Sequence, residues 1–404
     1  MTTALAEKPA HVPSDRVVDA DIYALPGITD DFHAAWHTLQ VNSPDIAWTP
    51  RNEGHWIALR GDVIAEVLGD HERFSSRIII IPKSVGEQHG LLPTTLDPPV
   101  HRPYRQLFSS SFTPGAIRKL APSIRETAID LIEAFLARGH CDFTAEYARL
   151  FPVRIFMAMV DLPMSDAATI QHWAECMTRP DRDMTFDEAK QAFFRYVEPI
   201  LDARRAQPGE DLISRMITGD LNGRMPDAQE AIALVTQVLI AGVDTVVNFL
   251  GFAMLYLAET PEAQRALAAS PDTILRITGE LFRRYGLVTI ARTVVSDMEF
   301  HGVQLKAGEL VATPTMLHGL DDRQNVDPMK VDFARRDGRQ LTFGTGAHIC
   351  VGQELARAEV AITIEEWLKR IPVFSVADDA DTHAEGGIVG SIRRLSLRWD
   401  QSAA

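Results

Sequence analysis

Four patterns in the chain bring together residue types that can do chemistry. The first is Phe343-Gly-Thr-Gly-Ala-His-Ile-Cys-Val-Gly352, which runs straight into the helical pattern QELARAEVAITIEEWLKR. Its glycines imply a loop with tight turns or a close approach of backbone to something flat. Cys350 stands just before the helix N-terminus, where unpaired N–H groups and the helix dipole favour a thiolate. Such a residue is either a buried free cysteine or a ligand for a soft or redox-active metal. No second Cys or His nearby completes a zinc tetrahedron, so a metal here would take its other ligands from a macrocycle.

The second pattern is Ala241-Gly-Val-Asp-Thr245 inside the apolar run 231–258. An acid and an alcohol there are costly unless satisfied. Gly242 lets another group approach the backbone. The Thr245 hydroxyl either bonds back to the preceding turn or leaves that bond for another group, and a buried Asp244 needs a partner such as a distant cation. The third is Glu280 and Arg283, spaced to meet on one helix face. Glu146/Arg149, Glu262/Arg265 and Glu354/Arg357 share that spacing, so spacing alone selects none. The fourth, Asp97-Pro-Pro-Val-His-Arg-Pro-Tyr-Arg105, gathers His101, Arg102 and Arg105.

The elements that must position these residues are mainly helical. Helical periodicity covers 115–138, 165–178, 187–206, 210–218, 227–259, 261–269, 272–285 and 353–370. Asp227 and Glu230 read as a capping box, and Thr260-Pro261 as a stop, giving one helix of about 33 residues and roughly 50 Å. Strand-like pieces are short: 55–60, 298–300, 309–313 and 395–399. They never alternate with helices, and GxGxxG and GxxxxGK[ST] are absent, which disfavours a nucleotide-binding α/β fold.

The 404 residues suffice to enclose a cofactor in a large core. Three cysteines cannot build a disulfide framework and point to a reducing, cytoplasmic setting. A net charge of −15 disfavours wholesale binding to nucleic acid or anionic membrane. Residues 1–20 read as a flexible tail ahead of one domain over 21–404. The run 231–258 is long enough to cross a bilayer, but Asp244 at its middle would cost about 3 kcal/mol, so it is expected as a core helix.

The loop FGTGAHICVG is similar, position for position, to the haem-binding loop F-G-x-G-x-H-x-C-x-G of cytochromes P450. The resemblance spans about 23–399 and is closest to soluble bacterial camphor-hydroxylating enzymes. It implies a mainly α, triangular-prism fold with a small β portion and a long buried helix over haem b. It makes Cys350 the axial thiolate and places Phe343 and Gly344 against the cofactor. By position between the long helix and the cysteine loop, Glu280 and Arg283 match the structural E-x-x-R pair, and the stretch Asp327 to Arg336 matches the meander that completes it. Asp244 and Thr245 resemble the oxygen-activation pair that delivers protons. His101, Arg105, Arg292 and His348 match partners of the haem propionates.

Register with that branch places Ile80, His89, Leu91, Thr94, Gln237, Ile240, Ala241, Val288, Ile290, Ile388 and Val389 around the substrate. His89 stands where the camphor enzyme has a hydrogen-bonding tyrosine, Ile290 replaces an acidic residue, and Gln237 replaces an aliphatic one. These departures suggest a terpenoid or norisoprenoid ketone rather than camphor. The implied activity is hydroxylation of an unactivated C–H bond by a monomeric enzyme, with O2 and two electrons from a [2Fe-2S] ferredoxin and an NADH-dependent reductase. Arg102, Arg105, Arg335, Arg336 and Arg339 are candidates for docking that acidic partner. A haem sensor without turnover and a peroxide-driven haem enzyme are the alternatives.

Overall fold

The computed structural model describes residues 5–179 and 182–400. Helices form where apolar periodicity predicts them: Pro114–Leu136, Ala167–Thr178, Phe186–Ala206, Leu212–Thr218, Pro261–Ala269, Ile274–Arg284 and Gln353–Arg370. Shorter helices at Phe32–Val41, Gly61–Gly69, Lys83–His89 and Phe151–Val160 add to them. The result is the mainly α fold with a small β portion that the resemblance implies.

The expected 33-residue helix is broken. Its start is set by the capping box, in which Asp227 accepts from the Glu230 N–H and Glu230 accepts from the Asp227 N–H. The ladder then opens at Asp244, dividing Ala228–Val243 from Thr245–Glu259. Asp244 leaves helical geometry at φ −120°, and the Thr245 hydroxyl donates to the Ala241 carbonyl at 3.3 Å. A side chain bonded into the preceding turn is a known cause of helix bending. The two halves together are apolar enough for a membrane span, with mean hydropathy 2.0, yet most of that window is buried inside the protein.

Five strands make the largest sheet, in the order Ile46–Thr49, His55–Ala58, Leu310–Pro314, Thr289–Val294, Phe74–Ser75. His55–Ala58 and Leu310–Pro314 are parallel; the other neighbours are antiparallel. Period-two alternation along Thr289–Val294 sends Ile290 and Arg292 to the same face, toward the interior cavity.

The N-terminal segment is not a loose tail over 5–20. The Ala6 N–H donates to Pro50 and the Val18 N–H to Trp48, while Val12 and Ala20 are buried against the core. His11 pairs with Glu309 at 2.9 Å. The stretch forms only a single 3-10 turn, Ser14–Arg16, and one bridge from Val17 to Trp48, but its spaced apolar side chains still dock as a strap. Residues 1–4 lie outside the described residues.

Candidate active site

The cysteine loop is folded back onto itself. The Cys350 N–H donates to Phe343 at 2.8 Å, and the Gly344 N–H to Leu341 at 2.8 Å. Gly344 and Gly346 both have φ +69°, the left-handed region. A Cβ at Gly346 would sit 3.2 Å from the Leu68 carbonyl oxygen, so the loop presses against the helix Gly61–Gly69. Phe343 packs on Phe282, with the Arg357 guanidinium 5.0 Å from its ring centroid. The Cys350 thiol is accessible but opens into an interior cavity. Burial pushes its pKa up, and the N–H groups of Gly352 and Gln353 together with Arg105 pull it down. A thiolate in that position calls for a cation.

Glu280 and Arg283 meet as a buried, two-pronged pair at 2.7 and 2.8 Å. Arg335 adds a third bond to Glu280 at 3.1 Å, and the Asp332 N–H a fourth at 2.9 Å. Arg283 spends its remaining donors on the carbonyls of Gly319, Pro328 and Lys330. The pair thus ties the helix Ile274–Arg284 to the strands' return and to the stretch leading into the cysteine loop.

Cationic and imidazole groups gather at one end of the cavity. Arg292 is sealed in the core, bonds only the Ala291 carbonyl among described partners, and is pushed down to about 10 by burial. The rings of His101 and His348 lie 4.2 Å apart, and the Nε2 of each is buried without a partner. Burial, then the nearby Arg292 and His101, hold His348 neutral, down to about 3. Arg105 donates to the Ile349 carbonyl at 2.5 Å. The nearby carboxylate of Asp97 is occupied by Ser75 and Ser76. These donors therefore converge on a place that wants carboxylates.

Across the cavity stands the broken helix. Gln237, Ile240, Ala241, Asp244 and Thr245 recur at helical spacing and all line it. Asp244 is buried and fully engaged. Arg179 reaches it at 3.1 and 3.2 Å, Thr178 at 3.1 Å and Asn248 at 2.9 Å. The relay of protons from solvent through Asp244 is therefore not open in this conformation, and Thr245 takes the back-bonded alternative.

Of the expected pocket residues, Ile80, His89, Thr94, Gln237, Ile240, Ala241, Val288, Ile290, Ile388 and Val389 line the cavity. Leu91 does not: its side chain is wholly in the core, and its carbonyl accepts from Thr94 and Thr95. The prolines around it turn the chain so that Pro93 faces inward instead. Phe343 and Gly344 stand behind the cysteine rather than in the lining. Sequence reasoning missed Ile79, Phe108, Met177, Thr178, Phe186, Val238 and Val351, and it missed Arg179. A buried aspartate signals that a cation must reach it, but nothing local chooses one among 40 Lys and Arg. Two of the five arginines expected on a docking face are committed inward, Arg105 to Ile349 and Arg335 to Glu280; Arg102, Arg336 and Arg339 are exposed.

A flat macrocycle carrying two carboxylates and a metal meets both ends of this cavity at once: the thiol of Cys350 beneath it, and the unpaired donors of His101, Arg292 and His348 at its edge. That fit defines a haem-thiolate oxygenase. The chain belongs to the cytochrome P450 family, whose model matches residues 153–389. It is 30% identical over 400 residues to a probable cytochrome P450 127A1 of Sinorhizobium fredii, covering 97% of this chain and 96% of the relative. Among solved structures it is similar to CYP101J2, at 42% identity and TM-score 0.90, covering 98% of this chain and all of the other. CYP101C1 matches with TM-score 0.90 at 38% identity, with 98% and 100% covered. The chain is a cytochrome P450 monooxygenase with haem and a cysteine thiolate ligand, like the camphor-type class that its sequence resembles.

Proposed function

We propose that this monooxygenase hydroxylates a small alicyclic ketone of terpenoid or norisoprenoid type other than camphor, with electrons from a [2Fe-2S] ferredoxin. The observation that carries the reading is one polar spot, His89, Thr94 and Gln237, in a wall whose other polar groups across the cavity, Thr178, Asp244 and Thr245, are engaged elsewhere. Thr94 donates to Gln237 at 3.0 Å, and His89 Nε2 lies 3.4 Å from Thr94. Burial pushes His89 down to about 4, so it is neutral at pH 7. Its buried Nδ1 has no partner among the described residues. A neutral imidazole can offer one N–H to a ketone oxygen. Ile80, Ile240, Val288, Ile290 and Ile388 shape the remaining space for a hydrocarbon skeleton.

Haem, when bound, supplies the iron on which oxygen is activated. Cys350 would supply its thiolate ligand, and His101, Arg105, Arg292 and His348 would hold its carboxylates. Thr245 keeps a hydroxyl proton at the cavity wall; its 3.3 Å bond to Ala241 is long and is readily given up. Once Arg179 turns away, Asp244 takes a proton from solvent and passes it on to Thr245. Exposed Arg102, Arg336 and Arg339 remain for an acidic ferredoxin.

The test is a spectral titration of the holoenzyme with camphor, ionone-like ketones and their deoxygenated hydrocarbons, read as the low-to-high-spin shift. Ketones are expected to bind the wild type more tightly than their hydrocarbons. In His89→Phe that preference is expected to fall by about 3- to 10-fold, the worth of one hydrogen bond. A full shift with camphor alone, or equal losses for ketone and hydrocarbon, would overturn the reading.

A further inference from the structure

The helix Ala167–Thr178 ends beside the substrate cavity and carries His172 and Cys176 on one face, four residues apart. Asp183, beyond the end of that helix, comes back to meet them. His172 Nε2 lies 3.3 Å from an Asp183 oxygen, Cys176 Sγ lies 3.5 Å from the other, and Sγ lies 3.9 Å from Nε2. Among the described residues this is the group of His, Cys, Asp and Glu whose three donor atoms lie within 4.8 Å of one another. His172 and Asp183 are exposed, so a cation can enter, while Cys176 forms the buried floor.

The spacing has the dimensions of a coordination shell. Zinc lies about 2.3 Å from thiolate sulfur and about 2.0–2.2 Å from imidazole nitrogen or carboxylate oxygen. Tetrahedral angles then put nitrogen and oxygen about 3.3–3.5 Å apart, and sulfur about 3.6 Å from each. The two edges to Asp183 fall near these values, one to each of its oxygens, so a small turn of the carboxylate brings one oxygen into place for both, and the sulfur–nitrogen edge is only slightly long. One thiolate, one imidazole and one carboxylate suit zinc, whereas a magnesium or calcium site would be built from oxygens.

We infer that His172, Cys176 and Asp183 form a second, inhibitory zinc site, separate from the haem and its thiolate. Cys176 gives up its proton to the buffer on binding, and water fills the fourth position. The site would act on the substrate cavity because the same stretch of chain builds its wall: Met177, Thr178 and Phe186 line it, and Arg179 holds Asp244. Joining 172 and 176 to 183 fixes both flanks of that wall, so zinc slows substrate entry. This second part rests on the cavity being the substrate site; the zinc site itself does not.

Haem-loaded protein is dialysed against zinc chloride, bound metal is counted, and affinity is measured by competition with a chromophoric chelator. The wild type is expected to hold one zinc per chain with micromolar affinity or better. Loss of a direct ligand in His172→Gln, Cys176→Ser or Asp183→Asn is expected to weaken it by about 100-fold, since even outer partners are worth about 10–100-fold. His172→Gln changes an exposed side chain and keeps the test alive if Cys176→Ser does not fold. Zinc affinity unchanged in His172→Gln would overturn the site. In a stopped-flow arm, zinc is expected to slow the ketone-induced spin shift in the wild type and not in His172→Gln. A bound zinc that leaves this rate unchanged would overturn the inhibitory role.

Discussion

Thr245 is the residue on which the proton chemistry turns, and its surroundings say what to expect of its variants. Its hydroxyl lies on the cavity wall, bonded only to the carbonyl one turn back. Asp244 beside it is held by Arg179, Thr178 and Asn248, so it cannot stand in for the missing alcohol without a large rearrangement. Thr245→Val keeps the shape of the side chain and removes the proton. Product formation is expected to fall by about 100-fold, the usual scale of a lost proton-transfer group, while NADH consumption continues and substrate binding is little changed. Thr245→Ser is expected to recover most of the product yield. Measuring product per NADH in the reconstituted system checks this; equal coupling in Val and wild type would remove Thr245 from the proton path. Cys350 and Thr245 were legible because each sits in a motif whose chemistry is local, whereas Glu280 was picked from four pairs of equal spacing only by its place ahead of the cysteine loop. Arg179 was not legible, because the reason for it lies 65 positions away in Asp244.

The broken helix shows what one glycine allows an element to do. A Cβ on Gly242 would lie 2.5–2.7 Å from three ring carbons of Phe156, so the helix Phe151–Val160 packs directly on backbone there. The sequence shows that a close neighbour is needed and cannot show which. Gly242→Ala gains helix propensity of about 1 kcal/mol but must displace an aromatic ring in a tight core, which costs about 1–3 kcal/mol. Net destabilisation of the holoenzyme by up to about 2 kcal/mol is expected in urea unfolding, and Phe156→Leu in the same chain is expected to relieve it. Additive losses in the double variant would show that this contact does not set the packing. Helix limits with chemical punctuation, such as the Asp227/Glu230 box, were readable in advance. The break at Asp244 was not, since the apolar run continues through it and the Arg179 that meets Asp244 where the ladder opens is a tertiary partner. The strand Thr289–Val294 also escaped, because burial on both sides blurs its alternation and Arg292 on its inner face looks like a surface residue.

For the molecule as a whole, burial of neutral histidines sets an acid limit on stability. His33 is packed among Phe32, Phe252 and Tyr285 and is pushed down to about 3 by burial, then by Arg284. Burial likewise takes His55 to about 3 and His89 to about 4. In the unfolded chain each takes its proton near 6.5. Below that pH the unfolded state therefore binds more protons than the folded one, and stability falls as the pH drops from 6.5 toward the folded values; above 6.5 this contribution is fully present. Glu359 opposes them. Burial raises its carboxyl well above the usual value, so its contribution is present in acid and lost as pH rises. Carboxylates held low by partners, such as Glu230 beside Arg224, begin to weaken the fold once the pH falls through the normal carboxylate value, where the unfolded chain takes up protons first. Setting aside His348, whose ring would face the haem carboxylates in the holoenzyme, these three histidines act against Glu359 between pH 6 and 5, and the net loss from these four groups is expected to be about 2–3 kcal/mol per pH unit. Urea midpoints of the ferric holoenzyme across pH 5 to 7 measure it directly. His55→Gln, compared at the same pH values, is expected to flatten the slope by about 1.4 kcal/mol per unit, one proton's worth. A stability profile that stays level down to pH 4.5 would mean that these rings are protonated, or reached by water, inside the fold.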